Sequence, residues 1–396
     1  MSARWIICMA FVLSATARAG EPVATVRAAF DRDGVTETRV HGYADKARGR
    51  KVSADDPVRI ASISKLVTAI GVMRLVEAGT LDLDADVSDA LGWRLRNPAF
   101  PATPITLRLL LSHRASLTDG AGYWQTPLGG KLRDILEDPR AWDAAHAPGS
   151  YFRYANLNFP LVAQAMERAT GERFDELMER LVLRPLGLTA CFNWASCDAS
   201  TAARAVVLYD GDGKPVRDNN EGRKPDCAVT VGEGSCDLGR WRAGENGALF
   251  SPQGGLRISA HDLVRIGRLL LGNGSIDGQR LLEPASVQAM MLPHWQYTAG
   301  NGVTYEEDTG DIDQGFFCRY GLAMQTLATP VNGCRDDPFG DGVARVGHSG
   351  SAYGLQAGLW LDHKSGTGVV WFATGMPDER VGGKSAFSAV EEALAR

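Results

Sequence analysis

Ile60-Ala61-Ser62-Ile63-Ser64-Lys65 runs directly into Leu66, Ala69, Ile70, Met73 and Leu75, which recur at helical spacing, and Gly79 is placed to stop the helix. Ser62 and Lys65 are three residues apart, a spacing that puts both side chains on one helix face and within reach of each other. A helix N-terminus also offers free backbone N–H groups and positive potential, which suit an alkoxide-like transition state and an oxyanion. The lysine serves as a base only when its amine is neutral near pH 7. Burial and nearby positive charge would lower its pKa to that point. Taken alone, the tetrad is also what a capping serine followed by a surface lysine looks like.

Upstream of the tetrad, residues 24–30 and 36–42 have the β-branched, mixed pattern of strands, separated by the turn Asp31-Arg32-Asp33-Gly34. Downstream, helices are predicted over 106–112, over 158–170 with Gly171 as the stop, over 173–182 closed by Pro185 and Gly187, and over 260–271 between Ser259 and Gly272. The last quarter returns to strands at 355–361 and 368–374, joined by the hairpin turn Asp362-His363-Lys364-Ser365-Gly366-Thr367, and a helix over about 385–394 ends the chain. Strands at both ends with helices between predict an α+β fold. Its antiparallel sheet is built from both chain ends and flanked by helices, with an inserted, mostly helical domain. The expected boundaries are a signal peptide at 1–19, an α/β domain from 20–80 and 255–396, and an inserted domain at 81–254. Within the last, 188–247 reads as a disulfide-pinned loop region with little regular structure.

Two further segments can carry chemistry. Tyr154-Ala155-Asn156 follows the turn Pro148-Gly149-Ser150; two residues apart on an extended segment, the phenol and the amide face one side. The phenol can relay a proton and the amide can hold the lysine or a substrate, although a packed loop tyrosine beside a turn asparagine has the same sequence. His348-Ser349-Gly350-Ser351 opens the C-terminal strand region, where glycine lets a substrate lie against a strand edge; a glycine-rich turn is the other reading. Lys364-Ser365-Gly366 matches the same third pattern but lies in the predicted hairpin turn, facing solvent.

S-x-x-K at Ser62, Y-x-N at Tyr154 and H-[S/T]-G at His348, in that order, resemble the serine β-lactamase and penicillin-binding protein superfamily, in its branch of class C β-lactamases, DD-peptidases and family VIII esterases. Ile105-Thr106-Leu107-Arg108-Leu109-Leu110-Leu111-Ser112-His113 and Ser251-Pro252-Gln253-Gly254-Gly255-Leu256 fit the same pattern, so the resemblance covers nearly all of the chain beyond its first residues. It implies a β-lactamase/transpeptidase-like fold and the following roles. Ser62 is the nucleophile, and Lys65 and Tyr154 share the acid and base work. Asn156 positions substrate and lysine, and His348, Ser349, Gly350 and Ser351 bind substrate. The backbone N–H groups of Ser62 and Ser351 form the oxyanion hole. His348 stands where β-lactamases usually carry lysine, and imidazole is mostly neutral at pH 7, so the cationic end of the site is weak. The glutamate-bearing deacylation loop of class A enzymes is not recognisable. The expected activity is therefore hydrolysis of a peptide, amide or ester, with β-lactamase activity as the alternative and a non-catalytic, penicillin-binding-like envelope protein as the second. No cofactor is called for. The expected partner is a small-molecule or peptide substrate, with cell-wall peptide as one candidate.

The chain of 396 residues is 44% hydrophobic and 22% charged with a net charge of −5, and no long basic run gives a footprint for nucleic acid. Arg4, the apolar run 5–13 and Ala17-Arg18-Ala19 read as a secretory signal, which predicts a periplasmic or secreted protein. No later stretch reaches the roughly 18 apolar residues of a membrane span. Setting aside Cys8 leaves six cysteines, and their sequence-local grouping predicts the disulfides Cys191–Cys197, Cys227–Cys236 and Cys318–Cys334. No C-x-x-C or interleaved histidine favours zinc instead. Arg335 and Arg345, shortly before His348, could meet a substrate carboxylate or serve structural ion pairs. No G-x-S-x-G elbow and no G-x-G-x-x-G after a strand is present.

Overall fold

The computed structural model describes residues 21–216, 224–232, 235–306, 314–377 and 382–396. The expected signal peptide and Cys8 lie outside them.

The two C-terminal strands, Leu355–Asp362 and Thr367–Thr374, form an antiparallel hairpin, and Asp362 Oδ1 closes its turn by accepting from Lys364 N at 2.9 Å and Ser365 N at 3.1 Å. The N-terminal strand Ala24–Asp31 pairs along the full length of Thr367–Thr374, from Ala24↔Thr374 to Asp31↔Thr367. Both chain ends therefore meet in one sheet. Among the described residues it has nine strands, in the order 50–51, 35–45, 24–31, 367–374, 355–362, 345–352, 325–327, 319–320 and 295–296, and all neighbours are antiparallel.

The strands near its centre are apolar on both faces, so both must be covered. Leu355, Ala357, Leu359 and Leu361, with Val370 and Phe372 opposite, share one continuous core with the buried helix Ile63–Glu77 and the amphipathic helix Ala260–Leu271. The alternate residues Trp360, Val369 and Trp371 face the other way, into a separate aromatic cluster with Phe387 and Ala395. Gly358 lies between the two indoles, and a Cβ there would stand 2.6 Å from both Trp360 and Trp371. The C-terminal helix Ala389–Ala395 covers this second face, fixed by a capping box between Ser388 and Glu391. Arg27 on the first strand anchors it further, donating to Leu394 O at 2.8 Å.

Three local expectations differ from the structure. The last helix starts at Ala389 and not at 385, because Ser388 is its cap and Glu392 instead accepts from Ser385 N at 2.7 Å. The helix expected over 173–182 is Phe174–Met178 followed by a wide turn, Glu179–Leu183. Pro185 has no N–H to offer the Leu181 carbonyl, which accepts from Arg74 Nη1 at 2.6 Å. Within 188–247, Cys191–Phe192 is a true strand, pairing with Leu256–Ile258, which also pairs with Val58–Arg59. Residues 199–204 form a short helix. The disulfides are Cys191–Cys197, Cys227–Cys236 and Cys318–Cys334, as the local grouping predicted. No helix among the described residues is long and apolar enough to cross a membrane.

Candidate active site

Ser62 sits at the helix mouth with φ −64° and ψ −12°, and its side chain caps no backbone N–H. The capping alternative is thus excluded, and the hydroxyl is available to other partners. The residue before it, Ala61, is held in the left-handed region at φ 48°. Such a conformation costs on the order of 1–3 kcal/mol for a non-glycine residue and persists only where the surroundings enforce it.

Lys65 is fully buried, which removes the surface-lysine alternative too. Its Nζ lies 2.8 Å from Ser62 Oγ, 2.8 Å from Asn156 Oδ1 and 3.0 Å from the carbonyl oxygen of Gln253. Two of these three partners, the amide and the main-chain carbonyl, can only accept. A neutral amine would donate its two hydrogens to them and turn its lone pair to the Ser62 hydroxyl. Burial lowers the Lys65 pKa from its ordinary 10.5 to about 7, and Glu306 and Asp119 oppose the shift. The neighbouring charges are therefore negative, contrary to the expectation of positive ones, and desolvation does the lowering.

The Asn156 amide is oriented by Asp119, whose carboxylate accepts from Asn156 Nδ2 at 3.0 Å and from the backbone N–H groups of Asn156 and Leu157, each at 2.8 Å. That leaves Oδ1 for the lysine. Tyr154, two residues earlier, is sandwiched between His113 at 4.2 Å and Phe317 at 4.5 Å between ring centroids, with the lysine amine 4.9 Å above its ring. The phenol lies beside Ser62, and burial drives its pKa well above 10, so it keeps its proton.

The third segment belongs to the strand Arg345–Ala352. Its neighbour Gln325–Leu327 pairs only with Arg345–Gly347, so strand pairing leaves the edge of 348–352 open on that side. The turn Tyr353-Gly354 has both residues at positive φ, 55° and 68°, a two-residue primed hairpin turn that makes Ala352↔Leu355 a hydrogen-bonded pair. Hydrogen-bonded and open pairs alternate, so Ser349 and Ser351 turn their backbone groups away from the hairpin partner, toward the open edge. Gly350 abuts the tetrad loop: a Cβ there would lie 2.3 Å from the Ile60 carbonyl oxygen and 3.4 Å from Ser62 N. Only glycine allows that approach.

A profile of the beta-lactamase family matches residues 17–392. The chain belongs to the beta-lactamase family. It is 32% identical over 250 residues to Esterase EstB of Burkholderia gladioli, a match covering 57% of this chain and 60% of that protein. It is 31% identical over 159 residues to the D-alanyl-D-alanine-carboxypeptidase/endopeptidase AmpH of Escherichia coli K12, covering 38% of this chain and 40% of that one. The matches thus span less than two thirds of either relative. A solved D-alanine carboxypeptidase AmpC from Burkholderia cenocepacia shares the fold with a TM-score of 0.64 at 19% identity, over 94% of this chain and 92% of that one.

In this beta-lactamase-family chain, His348 has its ring 6.2 Å from the Tyr154 ring between centroids. Its backbone reaches the site, but its imidazole is completely buried; Nδ1 lies 2.5 Å from the Ser349 carbonyl oxygen and Nε2 2.7 Å from Tyr320 Oη. The carbonyl accepts, so Nδ1 carries a proton, and Nε2 pairs with the tyrosine hydroxyl. Arg335 and Arg345 take the structural alternative that the sequence left open. Arg335 donates to Ser385 O at 2.9 Å, while Arg345 pairs with both oxygens of Asp341 at 2.9 Å and lies 3.7 Å over the Phe339 ring. Ser64 is structural, accepting from Leu256 N at 3.0 Å.

Sequence reasoning missed Asp119, Tyr320 and Glu306, and it took His113 only as part of a matching segment. His113 Nδ1 accepts from Ala155 N at 3.2 Å, its carbonyl accepts from Arg153 N at 3.1 Å, and its ring stacks on the Tyr154 ring between them. Burial and the nearby Lys65 lower its pKa well below 6.5, which keeps it neutral.

Proposed function

We propose that this chain is an exported serine hydrolase that cleaves a peptide, amide or ester through an acyl-enzyme at Ser62. The observation that carries the reading is the partner set of Lys65. Two obligate acceptors take the hydrogens of its neutral amine, and the remaining lone pair meets the Ser62 hydroxyl at 2.8 Å. Lys65 takes the Ser62 proton as Oγ attacks the reacting carbonyl carbon. The Ser62 and Ser351 N–H groups hold the developing oxyanion, an arrangement in which losing one donor typically costs about 3 kcal/mol. Tyr154, protonated at neutral pH, hands a proton to the leaving group and is resupplied from Lys65. Water then attacks the acyl carbon, and the same groups run in reverse to free Ser62. The names of the esterase and carboxypeptidase relatives support ester or peptide chemistry, and three disulfides support an oxidising compartment.

Intact-protein mass measurement and peptide mapping after treatment with a fluorophosphonate and with a labelled penicillin test this reading. A single adduct on Ser62 with the fluorophosphonate is expected; no adduct with either reagent contradicts the proposal. Side-by-side turnover of D-Ala-D-Ala peptides, amino-acid amides, short acyl esters and nitrocefin assigns the substrate class. Fast nitrocefin turnover would favour the β-lactamase alternative.

A further inference from the structure

The helix Leu107–Leu111 ends in a Schellman arrangement. His113 N donates to Leu110 O at 3.2 Å and Arg114 N to Leu109 O at 2.9 Å, which puts His113 at the left-handed position, with φ 55°. Glycine usually fills that position and asparagine is its usual substitute, because a Cβ is strained there. Here a histidine fills it and is only 1% exposed. A buried side chain kept at the cost of backbone strain points to work done by the side chain itself.

That work lies at Tyr154. The His113 carbonyl accepts from Arg153 N at 3.1 Å and its Nδ1 accepts from Ala155 N at 3.2 Å, so one residue grips the chain on both sides of the tyrosine. Asn158 Nδ2 lies 3.3 Å from the same Nδ1 and donates to Ala155 O at 2.8 Å. The imidazole lies along the phenol ring, 4.2 Å away between centroids and 28° between planes, and the Tyr320 ring meets it edge-on at 5.2 Å. A backbone N–H only donates, so Nδ1 presents its lone pair and the ring proton sits on Nε2. A ring protonated at Nδ1 would set N–H against N–H and release Ala155. An apolar ring would reproduce the stack but not this bond.

We propose that His113 is a positioning residue for proton transfer by Tyr154: its Nδ1 fixes the backbone that aims the phenol at the group leaving the acyl centre on Ser62. This rests on the acyl-enzyme reading at Ser62. His113 acts through Tyr154 and not through Lys65, so it matters where the leaving group needs a proton and little where it does not.

The test compares kcat/KM at neutral pH for p-nitrophenyl butyrate and ethyl butyrate. Both place the same butyryl group on Ser62, so the two values differ only in binding and acylation. Nitrophenoxide departs as an anion, whereas ethoxide must be protonated as it leaves. His113→Phe keeps a ring and removes the acceptor. It should lower kcat/KM about tenfold or more for the ethyl ester and less than about threefold for the p-nitrophenyl ester. His113→Asn suits the left-handed position and puts an amide oxygen in place of Nδ1, so it should recover most of the ethyl-ester activity that His113→Phe loses. In a Tyr154→Phe background, adding His113→Phe should cost less than about threefold on the ethyl ester, because the group it positions is already gone. Four results overturn the assignment: equal losses on the two esters, an ethyl-ester loss of the same size with Tyr154 already replaced, a selective loss in His113→Asn as large as in His113→Phe, or a wild type that cleaves only the p-nitrophenyl ester. Fluorophosphonate labelling of Ser62 in the same samples separates the two readings. Retained labelling with an unchanged ester ratio in His113→Phe removes only His113, whereas a wild type with neither labelling nor turnover removes the acyl-enzyme and this proposal with it.

Discussion

At the Ser62 end of the site a single amine is surrounded by a hydroxyl and two carbonyl oxygens at 2.8 to 3.0 Å, whereas at the His348 end an imidazole is closed in by a phenol and a main-chain carbonyl behind aromatic rings. Both groups are completely buried. The first arrangement leaves one lone pair directed at a reactive group and is suited to moving a proton. The second satisfies both ring nitrogens and is suited to fixing the backbone of Ser349 to Ser351 along the open strand edge. Two motifs of one family thus do different kinds of work. Under the proposed acyl-enzyme mechanism, one supplies reacting atoms, and the other shapes the wall against which they react.

Substitutions can break that contrast. Ser62→Ala or Lys65→Ala should lower turnover by about 10⁴-fold or more, because the residues of such a unit are each indispensable. Steady-state kinetics, with circular dichroism as the check on folding, measures this. Tyr154→Phe keeps the stack between His113 and Phe317 and removes only the hydroxyl, so kcat should fall by about 10²-fold or more with the fold intact. A loss much smaller than tenfold would place the leaving-group proton elsewhere. Gly358→Ala forces a Cβ to 2.6 Å from two indoles on the aromatic face, and denaturant unfolding should show a loss of about 1–3 kcal/mol. The smallest effect belongs to the His348 end. Tyr320→Phe leaves a buried ring nitrogen without its hydrogen-bond partner and should cost about 1–2 kcal/mol of stability, with fluorophosphonate labelling of Ser62 retained. If instead Tyr320→Phe abolished labelling while leaving stability unchanged, His348 would belong with the reacting groups.

The same contrast explains what could be read before folding. The Ser62–Lys65 contact is local, three residues on one helix, and its spacing carries its meaning. The hairpin 355–374 followed from two short apolar runs on either side of a turn-forming Asp362, and the shared sheet from strand patterns at both chain ends. Asp119, Tyr320 and Glu306 lie in no motif, and the sheet or the loops carry them in from afar. A lone acid in a loop, or a phenol on a two-residue strand, has nothing in its neighbours to announce where it points. Lys65 shows the limit within a legible motif. Its spacing revealed the partner, but the sign of the surrounding charge came only with Asp119 and Glu306 in place. His348 was legible as a position, while its hydrogen-bond partner Tyr320 lies 28 residues away in the sequence.

The pH dependence of Ser62 acylation tests the central claim most directly. A lysine held near 7 by burial is protonated below that pH and a free base above it. The rate of fluorophosphonate labelling should therefore climb with unit slope in the acid range and level off above about pH 8. A rate that goes on rising in proportion to hydroxide through about pH 10 would mean that the amine keeps the ordinary basicity of a lysine, and Lys65 would not be the group that activates Ser62.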